Sequence, residues 1–266
     1  TYPTSFRHHH TASIERATEH FRQDQNVLAL LLTGSLAHGF ARSNSDVDVA
    51  IVVSADDYQR RILAGELTFY NEGLCTYAGG YVDGKYVDLQ FIRDVAARGS
   101  EPARFAFQDA TVLLSRVDGV ADLVADAARY PVERKAGNLA RFLAQFEAWN
   151  WYVQQALQTH DRYLLLQAST KLALFGCRLI LAHNELVYPY HKWLTRVVQS
   201  ASAKPADFER LMEELLAAPK GATTAAFYNA VKNFTAWPTT KGPWSMQFIS
   251  DSELNWLAGH TPVDDL

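Results

Sequence analysis

Cysteine and methionine are scarce in this 266-residue chain, with two of each. Cys75 and Cys177 lie far apart among apolar or small neighbours, and no Cys-x-x-Cys or Cys/His ligand spacing occurs. That excludes a zinc ribbon and a disulfide framework, and it leaves two free thiols packed as small hydrophobes in a reducing compartment. Long apolar runs are missing too. The best stretch, Leu164 to Ala182, is broken by Gln167, Lys171 and Arg178, short of the roughly 18 uninterrupted residues that a membrane helix needs. No leader pattern opens the sequence, so a soluble, cytoplasmic protein with no membrane partner is expected. Neither charge sign dominates: 25 Lys and Arg against 29 Asp and Glu give −4. Without a basic stripe, a nucleic-acid partner is disfavoured. Gly and Pro follow no period, and 12% aromatics exclude a disordered chain.

What remains is a globular chain with enough apolar residues for two cores. Thr11 to Gln23 has a helical period, with Thr11 or Ser13 as cap and Ile14, Ala17 and Phe21 on one face. The run His8-His9-His10 just before it reads as a lead-in to that helix rather than a metal tract. Asn26 to Thr33 is a continuous apolar run, fitting a strand buried on both faces. Asp46 to Val53 is a second strand and Asp57 to Ala64 a helix. Leu74 to Val82 and Lys85 to Ile92 flank Asp83-Gly84, a two-residue hairpin signal. Thr111 to Leu114 is a short last strand.

After Val120 only helical periods appear. Leu139, Phe142, Leu143, Phe146, Trp149 and Val153 recur at spacings of mostly three and four. Further helices are expected over Asp161 to His183, Pro205 to Leu216, Thr223 to Phe234 and Ser250 to Leu257, with Trp237 to Trp244 irregular. The expected fold class is α/β (α+β): a mixed sheet of about five strands over residues 1–117, then an all-α bundle over 118–266.

The residues with chemical content cluster early. The apolar run ends in Gly34-Ser35, where a missing Cβ allows close approach to the backbone and a hydroxyl and free amides face an anion. Asp46 and Asp48 then sit at i and i+2 of a strand, on one face, their Cα atoms about 6.5–7 Å apart. Aspartate is depleted in strands, and two carboxylates on this base bracket a hard divalent ion. Asp88, alternating with Val87 and Leu89, reads as a third carboxylate in an apolar strand that needs a partner.

Gly34-Ser35, ten intervening residues, Asp46-x-Asp48 and a later isolated Asp88 resemble the polymerase-β-type nucleotidyltransferase superfamily. The segments Gly34 to Gly39 and Ser45 to Asp48 are similar to its small bacterial members, including aminoglycoside and lincosamide nucleotidyltransferases. The resemblance covers the first ~115 residues; beyond them it rests on a helical domain that many members share.

That resemblance implies a transferase that moves a nucleoside monophosphate from an NTP such as ATP to a hydroxyl of a small molecule, releasing pyrophosphate. Asp46, Asp48 and Asp88 would hold two Mg²⁺ ions, and Gly34 and Ser35 would cradle the β and γ phosphates. Lys171 and Lys192, the latter in the cluster Tyr188-Pro-Tyr-His-Lys-Trp193, are candidate contacts to the triphosphate from the helical half. Arg178 shares a helix face with Lys171, while Arg42, Glu147 and Asp161 read as solvated. A homodimer is compatible with relatives that build the site across two chains. The competing readings are an idle nucleotide-binding or regulatory protein of the same fold, and an enzyme that nucleotidylates a protein partner.

Overall fold

The two most apolar runs pair with each other. β1 (Val27–Leu32) and β2 (Val47–Val53) run antiparallel with Leu32 opposite Val49, and nearly every residue in them is buried. The structure, a computed structural model, describes residues 8–259. Around this pair stand β3 (Thr68–Asn71), β4 (Val82–Asp88) and β5 (Thr111–Ser115), in the order β3-β4-β2-β1-β5. β4 is parallel to β2, and the other neighbours are antiparallel. The sheet is mixed and five-stranded, and the fold is α+β.

Strand alternation gives the sheet two apolar faces. Val47, Val49, Ile51, Val53 and Val82 face one layer, covered by Ile14, Ala17 and Phe21 of α1 (His8–Gln23). Ala50, Val52 and Val87 face the other. There they meet Ile92 and Val95 of α4 (Leu89–Arg98) and Val120, Val124 and Ala127 of α6 (Val120–Ala128). Between β1 and β2 lies the short α2 (Gly34–Ala37), between β2 and β3 lies α3 (Ala55–Ala64), and α5 (Glu101–Phe105) precedes β5.

The chain divides into two compact units, Thr1–Arg129 and Tyr130–Leu266. The first closes later than residue 117, because the apolar stripe of α6 packs onto the sheet's second face. Arg104, buried on α5, ties this corner together by donating to the carbonyls of Ala96 (2.8 Å) and Arg129 (3.0 Å).

Among the described residues of the second unit every regular element is helical. They are α7 (Lys135–Thr159), α8 (Arg162–His183), α9 (Leu194–Gln199), α10 (Phe208–Ala217), α11 (Gly221–Lys232) and α12 (Trp244–Phe248), with short 3₁₀ or π turns at Val132–Arg134, Ile249–Glu253 and Asn255–Ala258. Leu139, Leu143, Phe146 and Val153 of α7 are buried, as their spacing requires. α8 is long and apolar enough to cross a membrane by length and composition, yet half of that window is buried within the protein. Gly176 on it lets the Phe227 ring of α11 approach: a Cβ there would lie 2.6 Å from the ring. Cys177 is buried beside Met212 (Sγ–Sδ 3.4 Å), and burial pushes its thiol up to about 12. Cys75 is half-buried and also free.

Three local expectations change. α1 starts at His8, so Thr11 and Ser13 lie inside it; the Ser13 hydroxyl donates back to the His9 carbonyl at 2.7 Å. Asp83-Gly84 is no turn, because β4 runs straight through it. Gly84 is there for close packing: a Cβ would lie 2.9 Å from Ile51 Cδ1 and 3.0 Å from Val49 Cγ2. The stretch from Leu89 to Ile92 is the start of α4 rather than strand, with Ile92 and Val95 buried at helical spacing. Five strands are present as expected, but β3 replaces the strand expected over Leu74 to Val82, where 74–81 is loop, and β4 begins only at Val82.

Candidate active site

β1 delivers the chain into a sharp turn. Thr33 N–H donates to the Asp48 carbonyl (2.9 Å), and Gly34 then takes φ +65, a left-handed conformation that suits glycine. A Cβ on Gly34 would sit 1.9 Å from Asp48 Oδ2, so the missing side chain is what admits the Asp48 carboxylate. Ser35 follows on α2. Its Oγ is buried and has no hydrogen-bond partner among the described residues. A buried hydroxyl without a partner costs about 1–3 kcal/mol, so this atom calls for a ligand.

The sheet register decides which carboxylates share this corner. Asp46 and Asp48 are half-buried at the start of β2, two residues apart and so on one face. In the parallel pair, Asp48 lies opposite Asp83 and Val53 opposite Asp88. Asp83 therefore stands beside Asp48 on the same face. Asp88 is five residues further, about 16 Å along the strands. It also falls on the opposite face, in step with Val82 and Tyr86. There its charge, after burial itself, pushes the Tyr58 hydroxyl up. The Asp88 side chain is committed: it caps α4 by accepting from Phe91 N–H at 2.7 Å. The expectation that Asp88 joins Asp46 and Asp48 is thus corrected, because it is a helix cap at the far end of the strand.

The ladder extends one step back, Val47 N–H donating to the Tyr81 carbonyl (3.0 Å). That sets Tyr81 beside Asp46, whose carboxylate raises the Tyr81 pKa by accepting from its hydroxyl and by its charge. Tyr70 of β3 lies opposite Asp83 and packs against Tyr81, the rings tilted by 34° with centroids 5.0 Å apart. The corner thus presents Gly34, Ser35, Asp46, Asp48 and Asp83 together, rimmed by two tyrosines. Among the described residues no group of three or more His, Cys, Asp or Glu side chains is placed to hold a metal ion. Asp83 was missed because Asp-Gly reads as a turn. The signal that could have found it is alternation running through the glycine, Val82, Gly84 and Tyr86 against Asp83 and Lys85.

The remaining candidates belong to the second unit or have other partners. Lys171 is half-buried on α8, and Lys192 is exposed, its Nζ 5.1 Å from the Trp193 ring centroid. The Arg178 guanidinium lies 4.2 Å from the centroids of both Phe142 and Tyr188, so it is sandwiched rather than solvated. Glu147 is paired within the bundle, accepting from Tyr228 Oη (2.6 Å) and from Lys232. Asp161 caps α8 through Leu164 N–H (3.0 Å).

No curated protein matches the chain in sequence. A solved nucleotidyltransferase-like protein from Exiguobacterium sibiricum aligns with a TM-score of 0.46 at 11% identity, over 96% of this chain and 83% of that one. Residues 15–74 match the family model described as Polymerase beta, Nucleotidyltransferase. That match spans Gly34, Ser35, Asp46 and Asp48 and stops short of Asp83. The matched segment, with the mixed sheet and the Gly34–Asp48 corner around it, is thus similar to a nucleotidyltransferase domain of the polymerase-β type.

Proposed function

We propose that this protein transfers a nucleoside monophosphate from an NTP to a hydroxyl of a small acceptor, with Mg²⁺ and release of pyrophosphate. The observation that carries the reading is the register that sets Asp83 beside Asp48, next to a glycine whose missing Cβ leaves room for the Asp48 carboxylate. The chemistry of the donors suits a hard divalent cation: Asp46, Asp48 and Asp83 offer oxygen only, at one end of the paired strands β2 and β4. Two such ions, when bound, neutralise the triphosphate and stabilise the charge that builds up as the hydroxyl attacks the α-phosphorus.

The chain's own residues supply position. Asp46 and Asp48 bind on the side of Gly34 and Ser35, where the Ser35 hydroxyl donates to a phosphate oxygen. Asp83 lies toward the edge strand β3, on the side assigned to the acceptor, and takes the hydroxyl proton on a carboxylate oxygen. The two free thiols support a cytoplasmic setting. The test is pyrophosphate release from α-labelled NTPs, with Mg²⁺ and a panel of hydroxylated metabolites and antibiotics. Label should appear on an acceptor with the wild-type protein and not with Asp48→Asn. Equal transfer by the two proteins would overturn the reading.

A further inference from the structure

The turn that delivers Asp46 is held from outside. Within it, Ser45 N–H donates to the Arg42 carbonyl (3.2 Å) and Arg42 N–H to Ser45 Oγ (2.8 Å). Two side chains then grip its carbonyls. His9 Nε2 lies 2.9 Å from the Ser43 carbonyl, and since a carbonyl only accepts, this nitrogen carries the proton. The Tyr77 hydroxyl donates to the carbonyl of Ser45, the residue before Asp46.

Both gripping residues are themselves locked. The Tyr77 ring packs on His9 (centroids 4.5 Å) and His10 (5.3 Å). Gly80 makes room for it, because a Cβ there would lie 2.5 Å from Tyr77 Cε2. The loop 72–81 is tied to α1 as well, with Thr76 N–H donating to Ser13 Oγ (3.1 Å) and Thr76 Oγ1 to the His9 carbonyl (3.1 Å). Burial, then Cys75 and Asp46, push the Tyr77 hydroxyl up, so it stays a donor across the neutral range.

We propose that His9 and Tyr77 are positioning residues that clamp the 42–45 turn and so hold the Asp46 carboxylate in place to bind a divalent cation. This gives the histidine run at the start of α1 a role outside metal ligation, and it rests on the reading of Asp46, Asp48 and Asp83 as cation ligands. Packing alone does not need the two donors: Phe at 77 keeps the ring on His9 and His10 and loses only the hydroxyl.

The test is Mn²⁺ binding to the nucleotide-free protein, followed by electron paramagnetic resonance, with circular dichroism melts as the check on folding. Tyr77→Phe should weaken Mn²⁺ about fivefold and His9→Ala about threefold, as for other groups that orient a ligand without touching the metal. Melting should fall by no more than about 3 °C in each. His9→Gln keeps an N–H donor and should return affinity to within about twofold of wild type. A Tyr77→Phe or His9→Ala protein that binds Mn²⁺ as tightly as wild type removes that residue from the clamp. Equal loss in His9→Gln and His9→Ala assigns His9 to packing and overturns its half of the proposal. A wild-type protein that binds no Mn²⁺ overturns the cation reading itself, and this proposal with it.

Discussion

Asp83 and Asp88 lie five residues apart on one strand and have different surroundings. Asp83 is half-buried beside Asp48 at the end of β4 that meets the Gly34 turn. Asp88 is buried at the other end, faces the opposite layer and caps a helix. A carboxylate in an apolar strand therefore has two stable solutions: converge with others on a ligand, or satisfy the free amides of a helix start. Strand alternation alone does not choose between them. Pairing register does, because it states which neighbour each aspartate has.

The contrast is open to breakage by substitution. The largest effect is expected at Asp83→Asn, which should cut pyrophosphate release about 10³-fold while the melting curve holds; full turnover would remove Asp83 from the ligand set. Gly34→Ala should lose about 10²-fold, since its methyl would collide with the Asp48 carboxylate, together with about 1 kcal/mol for a side chain forced into φ +65. Ser35→Ala separates stability from activity. The KM for NTP should rise about tenfold, while urea unfolding shows equal or slightly higher stability, because an orphaned buried hydroxyl has been removed. The smallest effect on turnover belongs to Asp88→Ala. It should cost about 1 kcal/mol in denaturation and leave kcat within about twofold, as for a site far from the chemistry. Loss of turnover in a folded Asp88→Ala protein would reverse the comparison.

Legibility followed the range of the interactions. Gly34-Ser35 and Asp46-x-Asp48 could be read because each depends on a strand end and a period of two, both local. The helical half showed through Leu139, Leu143, Phe146 and Val153 for the same reason. Asp83 could not be read locally. Its meaning comes from a parallel partner 35 residues away, and the glycine after it is small because Ile51 and Val49 press on that position from the neighbouring strand. Asp88 misled in the other direction, although Phe91, Ile92 and Val95 after it already hinted at a capped helix. The grip of His9 and Tyr77 on the 42–45 turn lay furthest out of reach, because it joins three segments that only the fold brings together.

The most direct measurement of the central claim is a crystal structure with a non-hydrolysable NTP and Mn²⁺, located by its anomalous signal. The account predicts metal density bound by oxygens of Asp46, Asp48 and Asp83, at the roughly 2.0–2.2 Å of a hard cation, with the triphosphate against Gly34 and Ser35. An ion bound at Asp88, or a nucleotide seated away from the Gly34 turn, would contradict it.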